Sequence, residues 1–163
     1  MRPSGAFPLA FALLLGASAS ALSRNPQETP MKHQAKGPFD VTLQALEAYN
    51  TDEDAGLGRR SIDKRFHGDL EATSRGEMLS AGGAVKGSAG YVAIERVTGT
   101  LHGRRGSFTL QHFATMTRGE PHLNIVVVPD SGSEGLTGLS GSMKIVIAEG
   151  GKHSYEFDYE FAE

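Results

Sequence analysis

From Gly37 onward, apolar and polar positions alternate with a period of two. Phe39, Val41 and Leu43 are interleaved with Asp40, Thr42 and Gln44. Phe108, Leu110, His112, Ala114 and Met116 are interleaved with Ser107, Thr109, Gln111, Phe113 and Thr115, and Tyr155, Phe157, Tyr159 and Phe161 with Ser154, Glu156, Asp158 and Glu160. A strand that packs one face and wets the other leaves this signature, because successive side chains point to opposite sides. Glycine-bearing breaks separate the runs, at Gly82-Gly83, Gly103 to Gly106, Gly132, Gly138 to Gly141 and Gly150-Gly151. No segment after residue 36 carries a sustained helical stripe.

The pattern predicts eight strands, over 38–47, 60–67, 69–79, 88–100, 107–118, 122–128, 142–148 and 153–161. Most links are short, so neighbours pair antiparallel as a meander. Such a meander removes its exposed edges by closing, which predicts an all-β, eight-stranded, up-and-down antiparallel barrel. A barrel of that size either fills with side chains or holds one small ligand. Glycine, at 21 of 163 residues, is nearly twice its usual share of about 7%, as a turn-rich β protein requires.

The N-terminal third adds an address. Arg2, the apolar run Phe7 to Leu15 and the small-residue sites around Ala17-Ser18-Ala19 and Ala19-Ser20-Ala21 read as a cleavable signal peptide over 1–21. The run is shorter than the roughly 20 residues of a membrane span, so export to the periplasm or exterior is expected, with no membrane span. Residues 22–36 are polar, with Pro26 and Pro30, and read as a flexible linker; 37–163 is the single folded domain. The acidic stretch around Asp52, Glu53 and Asp54 departs from calcium-loop spacing and reads as a solvated connector.

Charge and composition exclude more than they assign. Sixteen Lys+Arg against 19 Asp+Glu give a net charge of −3, with basic residues only in pairs, and no nucleic-acid partner is expected. The absence of cysteine removes disulfides, thiol catalysis and thiolate metal sites. Trp, a hallmark of lipocalin-like carriers, is also absent. Phosphate loops, nucleophile elbows and zinc-binding helices find no match, and neither a cofactor nor a metal is expected.

Several short motifs, in order, carry a resemblance. They are Phe66-His67-Gly68-Asp69-Leu70-Glu71, Gly87 to Glu95, Leu110-Gln111-His112, Pro129-Asp130-Ser131-Gly132 and Gly138-Leu139-Ser140-Gly141. Together they resemble a bacterial family of small domains of unknown function, whose fold is an eight-stranded barrel like that of allene oxide cyclase. The resemblance spans roughly Lys36 to the C-terminus. It implies a calycin-like barrel, often a self-associating one, so a homo-oligomer is among the expected states. It brings no reaction with it, since fold does not imply function.

The candidate chemistry lies on two neighbouring strands. With Gly103 to Gly106 as the hairpin loop, Val97 opposes His112 and Glu95 opposes Ala114. Tyr91, Glu95 and His112 then share the inner face with Phe108, Leu110 and Met116. A carboxylate and an imidazole among apolar side chains can form an acid–base pair, with Tyr91 orienting a substrate. Phe108, Leu110 and Met116 are the expected ligand contacts. A buried structural hydrogen bond between Glu95 and His112 is the plainer alternative. His67, Asp69 and Glu71 alternate like strand-borne metal ligands, but their apolar partner face turns them to solvent. Three functions stay open: a barrel binding a small apolar molecule, a cofactor-free isomerase or cyclase using Glu95, His112 and Tyr91, and a filled structural barrel.

Overall fold

The computed structural model describes residues 31–52 and 56–162. The signal and most of the linker expected from sequence lie outside these residues. Eight strands follow in order: β1 (His33–Leu46), β2 (Leu57–Phe66), β3 (Leu70–Gly82), β4 (Ala89–Leu101), β5 (Arg104–Thr117), β6 (Glu120–Val127), β7 (Leu139–Ile147) and β8 (His153–Phe161). Each pairs antiparallel with the next, and β8 pairs with β1, so the sheet closes into a barrel without free edges. Among the described residues the only helical pieces are two 3-10 turns, Glu134–Leu136 and Glu149–Gly151.

Closure explains where the strands outrun expectation. The first half of β1, His33 to Phe39, pairs with β8, and the second half, Phe39 to Leu46, pairs with β2. Residues 33–36, expected in the linker, therefore belong to the barrel. Their polarity hides this, because Gln34 and Lys36 point outward and Ala35 is the one apolar side chain that they bury. Gly37 continues the strand where a Cβ would come within 1.9 Å of the His67 carbonyl oxygen, so only glycine fits there.

The β4–β5 hairpin is tighter than expected. Leu101 opposes Arg104, and His102-Gly103 form a two-residue turn with φ of 45° and 80° at its centre. Positive φ at both positions matches the type I′ geometry that follows the natural twist of a hairpin. The register consequently differs by four residues: Val97 opposes Phe108, not His112, and Glu95 opposes Leu110, not Ala114. Four is even, so every side chain keeps its predicted face.

Alternation sends two very different sets of side chains inward. At the end bearing the β2–β3 and β4–β5 turns, the interior is packed with Phe66, Leu70, Leu101, Phe108, Phe157 and Tyr159. Phe108 stacks on Phe157 with ring centroids 5.7 Å apart. The β6–β7 connection folds over this end and inserts Leu136, fully buried, as a plug. Gly106 admits it, since a Cβ there would sit 2.2 Å from the Ser133 carbonyl oxygen. Tyr155 ties the same end together: its hydroxyl accepts from the Leu70 amide at 2.8 Å and donates to the His67 carbonyl at 3.0 Å. At the opposite end the inward-facing Leu43, Met116 and Leu123 are 45%, 42% and 39% exposed. One end is sealed and the other is open.

Candidate functional site

Where the two halves meet, four consecutive strands each contribute one buried polar side chain: Lys64 on β2, Ser74 on β3, Glu95 on β4 and His112 on β5. The shared parity follows from register. Lys64 opposes Ser74, Ser74 opposes Val97, and Glu95 and His112 lie two positions apart on a diagonal across β4 and β5. Glu95 is the hub. Its Oε1 accepts from Lys64 Nζ at 2.5 Å and from His112 Nε2 at 2.8 Å, and its Oε2 accepts from Ser74 Oγ at 2.5 Å. Gly76 faces Glu95 across β3 and β4, and a Cβ there would lie 2.6 Å from the Glu95 Cβ. The missing side chain lets β3 and the Glu95 backbone approach this closely.

The electrostatics of the cluster favour the charged pair. Burial by itself raises the Glu95 pKa, but the His112 hydrogen bond and the Lys64 charge outweigh it and hold the carboxyl at about 2, against an ordinary 4.5. The Lys64 ammonium also lies 5.5 Å and 5.7 Å from the Phe39 and Phe66 ring centroids, whose faces offer it further stabilisation. An ionised carboxylate only accepts hydrogen bonds, so His112 donates through Nε2. Its Nδ1 is buried and has no protein partner among the described residues.

Glu95 and His112 are thus joined as the sequence suggests, through a different register. Tyr91 shares their face but makes no hydrogen bond to either. It stands nearer the open end, half-buried, opposite Ala114, with its hydroxyl pKa raised by burial and then by the Glu95 charge. Of the expected ligand contacts, Met116 borders open space, whereas Phe108 and Leu110 are fully buried in the packed interior. Sequence reading missed Lys64 and Ser74. The signal was present: Lys64 lies in frame between Ile62 and Phe66, and Ser74 continues the frame of Leu70 and Ala72. His67 and Asp69 do not alternate along a strand, since both lie in the β2–β3 turn. There Asp69 accepts from the Lys36 amide at 2.9 Å, and Glu71 accepts from the Gly68 amide at 2.8 Å.

The open end contains a cleft of about 260 Å³ lined by Met78, Tyr91, Ala114, Met116, Pro121 and Leu123, among others. Met78 opposes Ala93, which in turn opposes His112, so the cleft floor adjoins the cluster's row. A larger depression of about 830 Å³ runs along the outside of β2–β5, between Leu57, Leu79, Val92 and Ile94. Its lining also includes Ala93 and His112, so it meets β4 and β5 at the cluster's row from the outer side, whereas the cluster side chains point inward. The inner cleft, although smaller, lies on the face to which the cluster side chains point, and its lining ends at Met78, Tyr91 and Ala114, next to the cluster's row. No helix among the described residues is long and apolar enough to cross a membrane.

Comparison with known proteins agrees with this architecture. A crystal structure of a protein of unknown function from the DUF3224 family of Shewanella oneidensis MR-1 is 54% identical in sequence. The match covers 82% of this chain and 99% of that one, with a TM-score of 0.77. No curated protein sequence matches. The model of the family described as protein of unknown function (DUF3224) matches residues 35–159, the barrel almost from end to end, and the chain belongs to that family.

Proposed function

We propose that this barrel binds a small apolar molecule in its open end, above the Lys64–Ser74–Glu95–His112 cluster. One observation carries the reading: inward-facing apolar side chains are buried at one end of the interior and about two-fifths exposed at the other. An apolar concave lining with a few convergent polar groups is the usual form of a small-molecule site. The cleft volume of about 260 Å³ suits a ligand of one or two rings. The test is saturable binding of the uncharged dye N-phenyl-1-naphthylamine. Ala114→Trp, which fills the cleft, should abolish the fluorescence gain, while Val92→Glu on the outer face should leave it intact. The opposite pattern would move the site to the outer groove and sink the proposal.

The Glu95–His112 contact favours a second reading, a cofactor-free isomerase or cyclase. A carboxylate that fixes an imidazole through one nitrogen leaves the other as the proton-handling atom. With its pKa at about 2, Glu95 is a weak base, which makes it the orienting group and His112 the working one. Tyr91 would then position a substrate in the cleft. Turnover of a bound ligand that disappears in His112→Phe, with binding retained, would support this reading over simple carriage.

A further inference from the structure

We infer that the outer wall of β2–β5 is the contact face of a symmetric homodimer, covered by a second copy of this chain. The sequence of β4 gives the first sign. Tyr91-Val92-Ala93-Ile94 is an unbroken apolar run, where a strand wet on one face would alternate. Such a run marks a strand covered on both faces. Ala93 is buried inside the barrel, yet Val92 and Ile94 on the outside have no cover. Register carries the uncovered surface across the sheet: Leu79 opposes Val92, and Val92 opposes Phe113. With Leu57 at the start of β2, these outward side chains are each 48% to 56% exposed. The outward positions of β8, by contrast, are the charged Glu156, Asp158 and Glu160.

Charge and area both favour a second copy as the occupant. Arg59 and Glu77, the charged side chains along the depression on this wall, pair with each other at 2.6 Å. An apolar face that is neutral within itself meets its own copy without repulsion, although each chain carries a net charge of −3. A strongly charged partner would find no group there to match it. Tyr49, fully exposed at the rim, enlarges the apolar surface. With Asn50 and Gln111 beside it, the exposed area is on the order of the 800 Å² per partner that a standard interface buries. The depression of about 830 Å³ has room for the ring of Tyr49 from the other copy, an aromatic anchor of the kind enriched at interface centres. Arg59 holds the connector bearing Tyr49 against β2, its Nη1 donating to the Glu47 carbonyl at 3.4 Å.

Sedimentation velocity of the full chain over a concentration series tests this. A dimer is expected. Val92→Glu sets a carboxylate at the centre of the face and should convert the dimer to monomer, with the strand-type circular dichroism unchanged. Should that variant not fold, Leu79→Lys makes the same test at a neighbouring exposed position. Tyr49→Ala should raise the dimer dissociation constant about tenfold, the loss of one interface anchor. A monomer at every concentration overturns the inference. So does a dimer that persists in both charge variants, which would place the contact elsewhere, the apolar run Phe7 to Leu15 included. A monomer whose dye binding disappears in Val92→Glu would assign this wall to a small molecule and overturn it as well. Dye binding retained by the monomeric Val92→Glu protein keeps the cup and the dimer face as separate questions, so either can fail alone.

Discussion

The sealed and open halves of this barrel are built from the same eight strands and the same alternation, yet one is a core and the other a cup. In the sealed half, aromatic rings from β2, β5 and β8 meet across the interior, and a loop drops Leu136 onto them. In the open half, the inward positions of β3 to β6 carry Met78, Ser80, Tyr91, Ala114 and Leu123, too little volume to meet across the same width. Barrel diameter is set by strand number and stagger, so side-chain size alone decides which half holds a cavity. The polar cluster sits at the boundary, next to the row of residues that lines the cup. Stability should therefore reside in the sealed half and the cluster, and selectivity in the open half.

The strongest way to break that division is to unpair the cluster. Glu95→Leu leaves the Lys64 ammonium buried without its carboxylate, and a loss of about 3–5 kcal/mol in urea unfolding is expected. Adding Lys64→Met should recover much of that loss, because the double change removes both charges together. If the two losses simply added, Lys64 and Glu95 would not be the coupled pair described. A sealed-half truncation of comparable size is Phe157→Ala, which deletes a fully buried ring stacked on Phe108. It should cost about 3–5 kcal/mol while leaving the affinity of naphthalene for the cup nearly unchanged.

Acid and alkali probe the cluster and the seal separately. The Glu95 pKa is lower in the folded than in the unfolded chain, so between pH 4.5 and about 2 the unfolded chain binds more protons. The stabilisation from the cluster is therefore complete above pH 4.5 and is lost as the pH falls toward 2. Tyr155 shifts the other way, its hydroxyl pushed up to about 12 chiefly by burial, with Asp69 and Glu71 adding to the shift. Its contribution is complete below pH 10 and is lost between 10 and 12. Glu95→Gln should flatten the acid limb only, and Tyr155→Phe the alkaline limb only. Measured near neutrality, Tyr155→Phe should cost about 1–3 kcal/mol, since the Leu70 amide and His67 carbonyl lose their partner inside the seal.

The strand pattern was legible in the sequence because half-buried strands write their faces as alternation, and the inward placement of Glu95 and His112 followed from parity alone. Register was less legible. The His102-Gly103 turn places a non-glycine residue at positive φ, so the obvious glycines at 103 and 106 pointed to a longer loop. The first turn of chain in β1 was invisible because Gln34, Lys36 and Gly37 bury almost nothing, and their place is fixed by closure with β8. Lys64 was masked by its neighbour: read as the pair Lys64-Arg65 it resembles surface charge, although Arg65 is exposed and Lys64 is buried. The open cup was beyond alternation altogether, since period two distinguishes in from out but says nothing of whether opposing side chains meet.

The smallest effect on stability should come from the cup's own rim. Met116 lies on the inward face of β5, opposite Ala89 and Pro121, and already contacts solvent. Met116→Ala removes little buried area, so at about 25 cal/mol per Å² its cost in unfolding free energy should stay below about 1 kcal/mol. The same change widens a cleft of about 260 Å³ at its entrance and removes a flexible thioether that can pack against a ring. Weaker binding of naphthalene with a nearly unchanged urea midpoint would place Met116 in the cup and outside the core. A large loss of stability with unchanged binding would mean that the open end is packed in solution, and the contrast between the two halves would disappear.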